Sequence, residues 1–140
     1  MAGTLIVDSI NANSNLALKI ANTTVASINS TGVLQFNSGF GSVATAYGCR
    51  AWCVFNGATT GTNAPIAGGN VSTVTRNSTG NYTINFTTAM PDANCAVTAT
   101  SLGAMTYLPS VPSTTSANVG TLNSGTTPTD YAYVCVSVFR

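Results

Sequence analysis

Asp8, Asp92, Asp130, Lys19, Arg50, Arg76 and Arg140 are the only charged side chains in 140 residues, and no histidine or glutamate accompanies them. Acid–base, metal and phosphate chemistry draws mostly on these residue types. Here the seven are scattered, and no two carboxylates sit close enough in sequence to suggest a glycosidase pair. Three separated aspartates make a poor calcium set. The expectation is a protein that is not an enzyme and that carries no cofactor or metal. Arg50 and Arg76 are candidates to pair with Asp92 or Asp130, although exposed pairs add little stability.

The four cysteines, Cys49, Cys53, Cys95 and Cys135, are the other reactive groups. Cys49 and Cys53 are four residues apart on a predicted strand, which sets them roughly 13 Å apart. A disulfide needs Cα atoms within about 7 Å, so these two do not join each other. Each would need a partner on a neighbouring strand, with Cys95 and Cys135 as candidates. Buried free thiols and one or two disulfides both remain open. Zinc is disfavoured, because all four cysteines would be needed and no C-x₂-C knuckle occurs.

Composition narrows the class further. The hydrophobic fraction is 44% and the charged fraction 5%, with Thr, Asn, Ser and Gly supplying the polarity. Soluble proteins carry roughly 25% charged residues. A neutral surface rich in hydrogen-bonding groups suits packing into an assembly or contact with neutral polar ligands such as glycans. The net charge of +1 offers no basic cluster for nucleic acid. No apolar run approaches the ~20 residues of a membrane span, and the start does not read as a secretory signal. The chain is expected to be made in a cytoplasm and not exported by the usual route. Six Asn-x-Ser/Thr sequons, at Asn22, Asn29, Asn70, Asn77, Asn81 and Asn85, are discounted, since a chain this rich in Asn, Ser and Thr makes them by chance.

These groups are expected to sit on β-structure. Residues 1–45 hold short apolar runs at 5–7, 16–20, 25–28 and 33–36, each too short for a free-standing sheet. They are expected to pair between chains or lie against a partner; a flexible tail is the alternative. From residue 46 the pattern predicts a compact antiparallel β-sandwich. Strands are expected over 49–55, 70–76, 81–88, 94–101 and 131–139, with a turn at Asn56-Gly57 and a loop over 58–69. Tyr82, Ile84 and Phe86 alternate inward. Both faces of 131–139 are largely apolar, which predicts a central strand. Residues 103–130, with Pro109, Pro112 and Pro128, read as a long loop holding at most one or two weak strands. Long loops on a β-scaffold often carry recognition, so Tyr107, Asn118 and Asn123 are candidate receptor contacts. Trp52, Tyr82 and Phe86, on regular strands, are assigned to the core in preference to sugar stacking.

The stretch from Cys49 to Gly57 (Cys-Arg-Ala-Trp-Cys-Val-Phe-Asn-Gly), with Gly69-Asn70-Val71-Ser72 and the run Gly80 to Val97, resembles a β-domain of phage tail-fibre and related virion proteins. The ending Val136-Ser137-Val138-Phe139-Arg140 fits the same pattern, as do Met1 to Leu5 and Asn15 to Leu18. The resemblance covers most of the chain except roughly 98–130. It implies a structural virion protein, most simply a short trimeric tail fibre. Residues 1–45 would attach to tail or baseplate proteins and trimerise, and residues 46–140 would contact a host glycan or protein. A capsid decoration protein is the alternative, and a bacterial adhesin is disfavoured by the lack of a signal. Cys53 and Cys95 stand where the pattern usually has Val and Tyr, so the resemblance raises the chance that they pair. It brings no catalytic motif.

Overall fold

The computed structural model describes residues 15–36, 43–45, 48–102 and 105–140. These form three antiparallel sheets and no helix. The chain divides into two compact units, Met1–Ala46 and Tyr47–Arg140. The apolar run at 5–7 lies outside the described residues.

In the first unit, β1 (Leu16–Ile20), β2 (Thr23–Ile28), β3 (Leu34–Phe36) and β4 (Ala44–Thr45) pair in that order as one sheet. The described runs, expected to pair between chains or lie against a partner, pair with each other within the chain. The reason lies in the turns. Ala21 and Asn22 both take positive φ, the two-residue corner whose twist matches antiparallel strands. At the next corner Asn29 Oδ1 accepts hydrogen bonds from the backbone nitrogens of Thr31 and Val33, and Gly32 supplies φ +78°.

The second unit is a sandwich. One sheet has the order β10-β13-β5-β7, from β5 (Cys49–Phe55), β7 (Ala67–Gly69), β10 (Ala96–Ser101) and β13 (Val134–Phe139). The other has the order β11-β12-β9-β8-β6, from β6 (Gly61–Asn63), β8 (Val71–Ser78), β9 (Asn81–Phe86), β11 (Met105–Tyr107) and β12 (Ser116–Leu122). Alternate residues face inward. Ala51, Cys53, Phe55, Val134, Val136 and Val138 come from the first sheet, and Val74, Tyr82, Ile84, Phe86, Ala117 and Val119 from the second. β13 lies inside its sheet, between β10 and β5, as its apolar run predicts. Only its Val134, Val136 and Val138 face is buried; Ser137 and Phe139 turn outward.

Two expected loops are corrected. Residues 58–69 contain the short edge strands β6 and β7. Residues 103–130 contain β12, a seven-residue interior strand whose Ala117, Val119 and Thr121 are buried. Thr121 is tolerated there because its hydroxyl donates to Thr129 O at 2.6 Å, and a bonded hydroxyl escapes the cost of bare burial.

Candidate functional site

Among the described residues the charged side chains do not converge on one place. Asp130 Oδ2 accepts from Arg76 Nε at 3.0 Å and Nη2 at 2.5 Å, while its Oδ1 accepts from Gly80 N and Tyr82 Oη, each at 2.8 Å. Burial opposes the Asp130 charge, but Arg76 and the other two donors outweigh it and hold the carboxyl below its usual range. Asp92 is held by Arg140, whose Nε donates at 2.7 Å and whose Nη2 also contacts it. Of the sequence pairings, Arg76 with Asp130 is formed; Asp92 takes Arg140, and Asp8 lies outside the described residues. Two aspartates closed by arginines at separate places do not make an acid–base pair. Among the described residues no group of three or more Cys, Asp, His or Glu side chains gathers as a metal site.

The Asp92–Arg140 pair gives a pH prediction. Arg140 and the backbone nitrogen of Asn94 pull the Asp92 carboxyl down from 3.8 to about 2. A depressed carboxyl contributes stability above its unfolded value and loses it as pH falls through the folded value. Melting temperature should therefore fall between pH 3.8 and about 2. In Arg140→Gln the fall across that window should be shallower, because Asp92 would titrate nearer its unfolded value.

All four cysteines are free thiols in the structure, so none of the disulfides open from the sequence is formed, including Cys53 with Cys95. Cys53 pairs in register with Val136 and Cys135 with Val54, placing the two sulfurs on opposite faces of one sheet. Burial, and then Cys135, pushes the Cys53 thiol up to about 12. Since thiolate is the reactive form, iodoacetamide should label exposed Cys49 in the native protein and reach Cys53 only on unfolding. Peptide mapping would show the order. In denaturant without reductant four labels are expected, and two would reveal a disulfide.

Three surfaces remain as candidates for binding. On the first unit, alternation and register collect Leu16, Leu18, Ile20, Ala26, Ile28, Leu34 and Phe36 on one face of the sheet. Ala17, Lys19, Thr24, Ser27, Gln35 and Thr45 take the other face. Apart from Thr23, which pairs with Ile20, the first of these faces is apolar, yet Leu18 and Ile20 are 60% and 68% exposed.

The outer face of the second sandwich sheet is a polar lattice. Thr62 and Thr75 hydroxyls lie 2.9 Å apart, and Asn85 Nδ2 donates to Thr73 and Thr75. Asn77 Nδ2 donates to Thr83 Oγ1 at 2.9 Å. Two of the predicted receptor contacts lie here, on strands and not on a loop. Tyr107 is in β11 opposite Gly120, and Asn118 is in β12 opposite Thr83. The Tyr107 ring covers Gly120: a β-carbon there would stand 2.2 Å from the ring. Asn123 lies apart in the turn after β12, where its Oδ1 accepts from the backbone nitrogens of Gly125 and Thr127. Its side-chain oxygen is occupied in shaping that turn.

The outer face of the first sandwich sheet holds Trp52. Its assignment to the core is corrected: it is 45% exposed, because Ala51, Cys53 and Phe55 take the inward positions of β5. Tyr82 and Phe86 are buried as predicted. Near the β6 and β7 edges, a crevice of about 260 Å³ is lined by Asn56, Asn63, Ile66 and Arg76 over Phe55 and Tyr82. Those two rings are almost wholly buried, so the crevice offers little ring surface to a ligand.

The sequence reading missed Asn70. It sits at φ +57°, donates through Nδ2 to Arg50 O and Thr88 O, and accepts from Thr88 N. One side chain thus ties β5, the start of β8 and the segment that follows β9. The Gly69-Asn70 pair was the available signal, since Asn tolerates positive φ. Asn70, Tyr82, Met90, Asp92 and Arg140 are all latches or core, so these positions build the scaffold. No protein family, curated protein or solved structure matches the chain.

Proposed function

We propose that this chain is a non-enzymatic structural protein of a tailed-phage virion, a short trimeric tail fibre. The first unit joins copies to each other and to tail or baseplate proteins. The sandwich is carried outward to a host glycan or protein. The observation that supports this reading most is the apolar face of the first sheet. A single-layer sheet must bury such a face against another element, and among the described residues of that unit no second layer covers it. The sandwich, by contrast, closes its own core and presents Thr, Asn and Ser with little charge. Attached in several copies, weak contacts on such a surface add up to lasting adhesion. The resemblance of Cys49 to Gly57, Gly80 to Val97 and the Phe139-Arg140 ending to virion β-domains supports the same conclusion. The particle would assemble in the host cytoplasm, and the protein would reside in the virion tail.

Competition tests the reading. Purified protein should slow adsorption of the corresponding phage to its host. Binding to empty capsids with no effect on adsorption would overturn the fibre reading in favour of a capsid decoration protein.

A further inference from the structure

We propose that the outer face of the first sandwich sheet, centred on Trp52, is a binding platform for neutral pyranose sugars. Trp52 is the single tryptophan of the chain. It sits on β5, an interior strand between β13 and β7, yet remains 45% exposed. The indole leans over the edge strand: a β-carbon on Gly69 would stand 2.6 Å from Trp52 Nε1 and 3.1 Å from Cδ1. Glycine therefore lets the indole pass close over β7 while the side chain stays open to solvent.

Cross-strand register sets hydroxyls beside this ring. Thr98 pairs with Ser137, Ser137 with Trp52, and Trp52 with Gly69. Paired residues share a face, so Thr98, Ser137, Trp52 and Gly69 form one row across four strands. No carboxylate lies in the row.

The row combines an electron-rich aromatic ring with hydroxyls able to donate and accept. A pyranose ring is complementary to it, with weakly positive C–H groups over the plate and a rim of hydroxyls. Four strands span about 14 Å, room for two or three sugar rings. The inference rests on local geometry and does not depend on the tail-fibre reading.

Emission from the only tryptophan reads the site directly. The full chain would be titrated with methyl β-glucoside, methyl β-galactoside and methyl α-mannoside, with glycerol as the control polyol. At least one glycoside should give a saturable blue shift in the millimolar range that glycerol does not. Saturation-transfer NMR with that glycoside should lose its signal in Trp52→Ala. In Gly69→Ala, where the new methyl displaces the indole, binding should weaken at least fivefold. Trp52 is exposed, so neither readout depends on breaking the core, and circular dichroism would confirm folding. The proposal is overturned if no glycoside differs from glycerol, or if Trp52→Ala retains binding. It is also overturned if emission shifts with protein concentration alone, since a second copy would then cover the plate. Sugar binding without effect on phage adsorption would leave this site standing and remove only the fibre reading.

Discussion

Truncating Tyr82 to alanine is expected to cost about 3–5 kcal/mol, the usual price of deleting a buried aromatic ring. Tyr82 is fully buried on β9. Its ring meets Phe55 edge-on, with centroids 5.0 Å apart and planes at 65°. Its hydroxyl donates to Asp130. Burial comes first among the causes that push that hydroxyl up to about 12, with the Asp130 bond adding to it, so it stays a donor at any ordinary pH. Gly57 marks how tightly the ring is enclosed: a β-carbon there would lie 2.5 Å from Tyr82 Oη. Tyr82→Phe separates the two contributions. It keeps the ring and removes one of the donors to Asp130, leaving Gly80 N and Arg76 in place, so about 1 kcal/mol is expected. Urea unfolding followed by circular dichroism measures both. A domain this size holds about 5–15 kcal/mol in all, so the alanine variant should lose much of its folded population at moderate urea. Equal losses in the two variants would show that the hydroxyl, not the ring, holds the two sheets together.

The sandwich was legible where large apolar residues alternate with polar ones. β9 reads Asn-Tyr-Thr-Ile-Asn-Phe, and every second side chain is a core residue. β12 was not legible, because its inward positions are Ala117, Val119 and Thr121. Two of these are small or polar, and prolines flank the segment. Nothing in local periodicity shows that Thr121 finds an acceptor eight residues on. Trp52 failed for a different reason. Its size argued for the core, while the alternation set by Phe55 and Cys53 put it on the opposite face, and alternation prevailed. Ion pairs were only half legible. Arg140 reaches Asp92 across 48 residues, a closure that depends on β13 lying beside β10. Among the surface candidates, Tyr107 and Asn118 do share an outer face, but register placed them there, not a shared loop. The first sheet's pairing was legible in principle from Asn22 and Gly32, both turn formers, but runs of three to six residues gave no reason to expect a sheet within one chain.

Placing aspartate at both Leu18 and Phe36 is expected to reduce the particle from three chains to one. Leu18 pairs with Ala26, and Ala26 with Phe36, so the two substitutions fall in one row across the middle of the apolar face. Burying a side chain such as Leu, Ile or Phe contributes about 1.5–3 kcal/mol. Several per chain are enough to offset the ordering cost of association, which is about 4–15 kcal/mol. A carboxylate in the closed face would lose its hydration with no cation opposite, since Lys19 lies on the other face, and unpaired buried charge is strongly penalised. Thr24→Asp, on the polar face, is the matched control and should leave assembly unchanged. Light scattering should give a mass near three times 14.2 kDa for the parent and Thr24→Asp, and one times that for the double variant. Trimers in all three would place the contact elsewhere in the chain. A monomeric parent would mean that the apolar face is closed by a different virion component, making the first unit an anchor and not a trimerisation device.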